Sequence, residues 1–191
     1  TEAYRKWDDS SLKGIENGFS QMPAVSYYMF HAPLGTEWRF SESWPPENEV
    51  RTRLYFNTAT SGTCSSVNDS SLTLTKPAEV SSIYYQVRDD ICVFRGKDNK
   101  SHYNRSELFW KKDMTEDVDN KGLTFTSAPL FPAYNNEMAG CISVDLWISC
   151  SSRDVDLIVY AEEVLEDGTS LYIKDGVMRA SHRISAPNSA L

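Results

Sequence analysis

Three histidines, His31, His102 and His182, are the side chains best suited to moving protons near neutral pH. None stands at the spacing that sets two imidazoles on one helical face around a metal. A serine hydrolase of the α/β type carries its nucleophile on a strained elbow, Gly-x-Ser-x-Gly, because only small flanking residues tolerate that backbone. The 191 residues contain no such run, so no catalytic residue is assigned. Each lone histidine is taken as structural or solvent-exposed. His31 runs from an apolar stretch into Ala32-Pro33, yet its neighbours offer it no catalytic partner.

Carboxylates are the next candidates. Residues 113–120, with Asp113, Glu116, Asp117 and Asp119, form the densest acidic run, but they lack the glycine and closing glutamate of a calcium loop, and a solvated loop is expected. Asp154 and Asp156 alternate in an extended segment, so both point to one side and repel unless a cation or an arginine intervenes. Arg179 or Arg183 is the expected partner, which makes a structural salt bridge the preferred reading over a metal site. The cysteines, Cys64, Cys92, Cys141 and Cys150, are widely spaced without a CxxC pair, which argues against thiolate metal binding and leaves disulfides open. Neither metal nor cofactor is expected. Trp38, Trp44, Trp110 and Trp147 are candidates for a sugar-stacking platform or a covered interface. Sequons at Asn68, Asn99 and Asn104 add weak evidence for secretion.

The elements that must position these residues read as strands. Residues 1–18 suggest a short helix ended by Gly14 and Gly18. Residues 23–30 are β-branched and aromatic behind a proline, and residues 51–56 alternate, with Thr52, Leu54 and Phe56 on one face. Residues 38–49, with Trp38, Trp44 and Pro45-Pro46, suggest an ordered loop; residues 57–71 are a polar loop before a short strand at 72–75. Residues 83–87 and 91–94 are further strand candidates. The clearest alternation is at 141–150, where Ile142, Val144, Leu146, Ile148 and Cys150 define a buried face, Cys150 being a small buried hydrophobe and Trp147 facing outward. Residues 157–164, the turn Asp167-Gly168 and residues 171–173 predict a hairpin, and Asp175-Gly176 predicts a second turn. Short strands with turn residues between them and almost no helical periodicity predict an all-β sandwich.

Hydrophobic residues make up 40% of the chain, enough for a domain core. The net charge of −8 argues against a nucleic-acid partner. No run is long and apolar enough to span a membrane, and residues 1–9 lack the core of a signal peptide, so a soluble, cytoplasmic protein without a membrane partner is expected. The opening run Tyr4-Arg5-Lys6-Trp7 suggests that a segment precedes Thr1.

Two separated stretches resemble a known family. Near the start these are Arg5-Lys6-Trp7-Asp8-Asp9, Leu12-Lys13-Gly14-Ile15-Glu16-Asn17-Gly18, Pro23-Ala24-Val25-Ser26-Tyr27-Tyr28-Met29 and Trp38-Arg39 with Trp44-Pro45-Pro46. Near the end these are Leu123-Thr124-Phe125-Thr126-Ser127-Ala128-Pro129-Leu130, Leu146-Trp147-Ile148-Ser149, Asp154-Val155-Asp156-Leu157, Glu166-Asp167-Gly168 and Asp175-Gly176-Val177-Met178-Arg179-Ala180. Together they resemble the C-terminal, non-catalytic domain of the X-prolyl dipeptidyl-peptidase and cocaine-esterase family. The resemblance implies a galactose-binding-like jelly-roll sandwich over residues 23–191, with residues 1–22 as a helical link from a preceding α/β-hydrolase domain. It implies packing on that catalytic domain or subunit, help in walling the substrate pocket, and a homo-oligomer contact. Asp154, Asp156, Asp175, Gly176 and Arg179 would be signature residues that fix hairpins and strand pairing. Family members continue past the Asp-Gly-x-x-Arg segment, so a sandwich short of its last strands is expected. The alternative is a free-standing carbohydrate-binding or protein-interaction module.

Overall fold

A computed structural model describes residues 2–30, 32–87, 113–115, 118–129 and 137–183. His31, Cys92, Asn99, His102, Asn104, Trp110 and the strand expected at 91–94 lie outside them. The chain divides into two units, residues 1–51 with 133–144, and residues 52–132 with 145–191.

In the first unit, α1 spans Glu2–Lys13. Two ion pairs one turn apart support it, Glu2 with Lys6 at 3.5 Å and Asp9 with Lys13 at 2.7 Å, the acidic members N-terminal to the basic ones as the helix dipole prefers. It stops at Gly14, whose φ of 67° a side chain would resist. Strands β1 (Val25–Tyr28) and β2 (Trp38–Ser41) pair antiparallel, with Tyr28 opposite Trp38 and Ser26 opposite Phe40. The expected ordered loop at 38–49 therefore begins as a strand, because its aromatic residues suit a pleat as well as a packed loop. Past β2, the edge of Trp44 meets Tyr27, with ring centroids 5.3 Å apart.

In the second unit, β3 (Tyr55–Asn57), β4 (Asp69–Thr73) and β5 (Thr124–Ser127) form a sheet in that order. β3 and β4 are antiparallel, and β4 and β5 parallel. Phe56 and Phe125 meet edge to face across β4 at 4.6 Å. The loop that ends in β4 is built on Asp69, which accepts hydrogen bonds from the backbone of Ser61 (2.8 Å) and Gly62 (2.9 Å), the Ser61 hydroxyl (2.8 Å) and the Cys64 thiol (3.2 Å). Strands β6 (Asp156–Val164) and β7 (Ser170–Arg179) form a long antiparallel hairpin. Its turn closes through the Gly168 N–H to the Leu165 carbonyl and the Thr169 N–H to the Asp167 carboxylate, both 2.9 Å.

Among the described residues the regular structure is strand apart from α1 and short 3-10 turns, which places the chain in the all-β class and is consistent with a β-sandwich. Several local expectations change. Residues 141–150 pair with no described strand, and both sets of alternating side chains are exposed, Cys150 included. Alternation marks which face a strand would bury, but burial also needs a neighbour to supply the ladder and the cover. Residues 51–54 and 83–87 likewise form no described strand. Asp175-Gly176 makes no turn: both lie inside β7, where Asp175 pairs with Tyr160 and Gly176 with Val159. The acidic run is not a solvated loop where it is described, for Met114, at 2% exposure, is the buried apolar residue there, beside buried Thr115, Asp119 and Ser170.

Candidate functional site

One residue determines what the hairpin presents. The register of β6 with β7 shifts between Ala161, opposite Lys174, and Glu162, opposite Tyr172, leaving Ile173 as a bulge. Side chains normally alternate faces, and the extra residue resets that alternation. Tyr172 and Asp175, three apart, thus share the face of Asp156, Tyr160 and Glu162. The result is a polar strip along one side of the hairpin, interrupted by the apolar pair of Ile158 and Val177.

At its open end the strip holds Arg179 opposite Asp156. The guanidinium donates through Nε at 2.6 Å and Nη2 at 2.9 Å to the two carboxylate oxygens, a bidentate geometry. Asp154 lies 3.9 Å from the same Nε and accepts from the Ser181 hydroxyl (2.7 Å) and backbone N–H (3.0 Å). The Arg179 hydrogen bond holds Asp156 below the ordinary carboxylate range, and the Ser181 hydroxyl does so for Asp154. Asp156 and Arg179 are exposed and Asp154 is half-buried, and at this end of the hairpin the Ala180 N–H also bonds the Val155 carbonyl at 2.9 Å. Midway, the Tyr172 hydroxyl donates to Asp175, and Tyr160 meets the Tyr172 ring edge-on at 6.4 Å. Burial, then the nearby Asp175 charge, pushes Tyr160 up to about 12; burial, then its bond to Asp175, does the same for Tyr172.

At the turn end sit Glu162, Ser170, Asp119 and Asp113. The Ser170 hydroxyl donates to Glu162 Oε2 at 2.6 Å, and the Ser170 N–H to Asp113 at 3.2 Å. The Met114 N–H bonds the Ser170 carbonyl at 2.8 Å, next to a bridge between Asp113 and Leu171. Burial, despite the Ser170 bond, pushes Glu162 up to about 7, with Asp119 and Asp113 adding to it; burial also raises Asp119, which is 5% exposed. For Asp113, the bonds from Thr115 and Ser170 outweigh its burial and hold it low. Spacing alone gave no sign of this cluster, because its members lie far apart in the chain. The signals that could have found it are the acidic run and the two glutamates, Glu162 and Glu163, inside an otherwise largely apolar β6. Among the described residues no group of three or more histidine, cysteine or acidic side chains is placed to hold a metal ion. No described helix is long and apolar enough to cross a membrane.

The tryptophans fall elsewhere. Trp38 is 58% exposed on the outer face of the β1–β2 pair with Phe40 and Tyr28, and Tyr28 makes edge contacts to Trp38 (5.5 Å) and Phe30 (5.8 Å). On the opposite face an open cleft of about 460 Å³ includes Tyr27, Arg39, Glu42, Glu47 and Glu137, with Arg39 clamped by Glu137 through Nε at 2.6 and 2.9 Å. Trp44 is half-exposed beside Tyr27, and Trp147 is 102% exposed on the 145–150 segment, which pairs with no described strand. Cys64, Cys141 and Cys150 are free thiols, Cys150 donating to the Ser152 carbonyl at 3.0 Å. The Asn68 amide spends both hydrogens on the carbonyls of Asn120 (3.1 Å) and Gly122 (2.9 Å), which leaves its sequon without a free N–H in the folded chain.

Residues 17–189 match the family described as the X-Pro dipeptidyl-peptidase C-terminal non-catalytic domain. Two curated proteins, "Putative serine esterase Mb1866c" of Mycobacterium bovis and "Putative serine esterase MT1883" of Mycobacterium tuberculosis, are each 29% identical to the chain over 178 residues, which is 92% of this chain and 25% of theirs. The chain thus spans about a quarter of the length of these relatives. No solved structure matches it significantly.

Proposed function

The chain belongs to the X-Pro dipeptidyl-peptidase C-terminal non-catalytic domain family, and we propose that it serves a longer serine hydrolase, cleaving ester or X-Pro peptide bonds, as the part that shapes substrate access and assembly. The family match over residues 17–189 carries this proposal. It is supported by the serine-esterase names of the relatives and by the aromatic face of Tyr28, Trp38 and Phe40, an apolar surface of the kind that meets another protein surface. The partner in this reading is an α/β-hydrolase domain or subunit, in a cytoplasmic and homo-oligomeric enzyme. The sandwich would be of the galactose-binding-like jelly-roll kind, occupying residues 23–191, with 1–22 as its link. Asp154, Asp156, Asp175, Gly176 and Arg179 act as structural residues that keep the β6–β7 hairpin in register.

Assays of the purified chain with p-nitrophenyl esters, X-Pro-p-nitroanilides and a fluorophosphonate probe should give neither turnover nor labelling. Joined to the catalytic portion of a relative-length enzyme, Trp38→Ala should change KM or assembly while leaving fluorophosphonate labelling intact. Serine-dependent turnover by the chain alone would overturn the proposal.

A further inference from the structure

The turn end of the polar strip contains an atom that a fully ionised cluster leaves unexplained. Glu162 uses Oε2 to accept from Ser170, but Oε1 is shut off from solvent and has no donor. A buried carboxylate oxygen without a donor is costly. The neighbour within reach is the carboxyl of Asp119 on the 3-10 turn Asp119–Lys121, itself buried. Two carboxylates can hydrogen-bond only through a proton. We propose that Asp119 and Glu162 hold one proton between them, and that this proton latches residues 113–115 and the Asp119–Lys121 turn onto the β6–β7 hairpin, loosening them as pH rises through neutrality.

The surroundings fit a proton better than a cation. The groups acting on the pair are Asp113 from residues 113–115, Tyr160 from β6 and the neutral Ser170 from β7, with Asp167 of the hairpin turn acting on Asp113. From the adjoining 61–69 loop the hydrogen bonds to this turn are uncharged: the Ser66 hydroxyl to the Asp119 carbonyl, the Val67 N–H to the Asn120 side chain and the Asn68 amide to the Asn120 carbonyl. No described lysine, arginine or histidine forms an ion pair with Asp113, Asp119 or Glu162. The upward displacement of both acids, driven first by burial, agrees with a retained proton.

The direction of the switch follows from linkage. A carboxyl raised in the folded state binds more protons there than in the open state. Its stabilisation is therefore complete below the ordinary carboxylate range and is lost as pH climbs to the folded value. Two arms of one NMR experiment on the 191-residue chain test this. Side-chain carboxyl shifts in the unmodified protein should show one acid of the pair keeping its proton to near pH 7. Amide exchange at Met114 and Asn120, corrected for intrinsic base catalysis, should report an opening constant rising by up to about tenfold per pH unit between roughly pH 5 and 7, then levelling. Glu162→Gln, and independently Asp119→Asn, should flatten that rise. Titration of both acids below pH 5, a flat wild-type profile, or an unchanged slope in the folded Glu162→Gln variant would overturn the latch. The carboxyl titration decides the matter even if neither variant folds.

Discussion

Replacing Gly168 with alanine isolates what the β6–β7 turn demands of its sequence. Gly168 has φ 85°, in the left-handed region where a side chain costs about 1–2 kcal/mol. A methyl built there would also stand 2.7 Å from the Ser65 hydroxyl oxygen, while lying 3.9 and 4.0 Å from the Ser65 N and Cβ. The hydroxyl can rotate away, because it is exposed and its bond to the Gly168 carbonyl is long, at 3.4 Å; the added cost is at most about 1 kcal/mol. Gly168→Ala should therefore lower stability by about 2 kcal/mol, a shift of well over tenfold in the folding equilibrium. Urea unfolding should show an earlier midpoint with an unchanged slope. Adding Ser65→Ala to that variant should recover only the steric share. A loss under about 0.5 kcal/mol would refute the reasoning, since substitutions that break no special feature fall within that range. Full rescue by Ser65→Ala would place the whole cost in the clash and none in the backbone.

Met114→Ala should destabilise by about 2–5 kcal/mol in the same unfolding assay, because Met114 is the fully enclosed apolar side chain of the acidic segment, whose backbone bonds the hairpin at Ser170. Asp69 tests the opposite sign of proton linkage from Glu162. Burial alone would raise it, but the Gly62 N–H, Ser61 hydroxyl and other donors together hold it low. Its stabilisation is therefore present above the ordinary carboxylate range and lost as pH falls through the lowered value. Thermal melts at pH 7 and pH 3 should show a smaller acid-induced drop in Asp69→Asn than in the wild type.

The parts of the fold legible in the sequence are those whose signals are local. Gly14 ends a helix because the next turn needs a positive φ, and Asp167-Gly168 joins two β-rich runs because five residues suffice to close that turn. Long-range partnership was not legible. Residues 141–150 have the strongest alternation in the chain and no described partner strand, since a pattern of apolar residues does not say which ladder will accept it. The Asp154, Asp156 and Arg179 geometry was approachable from charge and spacing, because a like-charged pair in an extended segment requires a counter-charge. The Asp119–Glu162 pair was not. Its members are more than 40 residues apart, and an acidic run by itself predicts a solvated loop, whereas Met114 and Asp119 are buried.

The bulge at Ile173 works as a phase shift in the strand. Because of it, strict every-second-residue counting from Ser170 would place Asp175 on the side opposite Tyr172, and would split the polar strip into halves that never meet. An alignment that slides one residue through this point exchanges inside for outside along the rest of β7, Arg179 included. Comparison of this hairpin with distant relatives therefore has to be anchored on the pairing of Asp156 with Arg179 below the bulge and of Glu162 with Tyr172 above it, with the residue count between them left free.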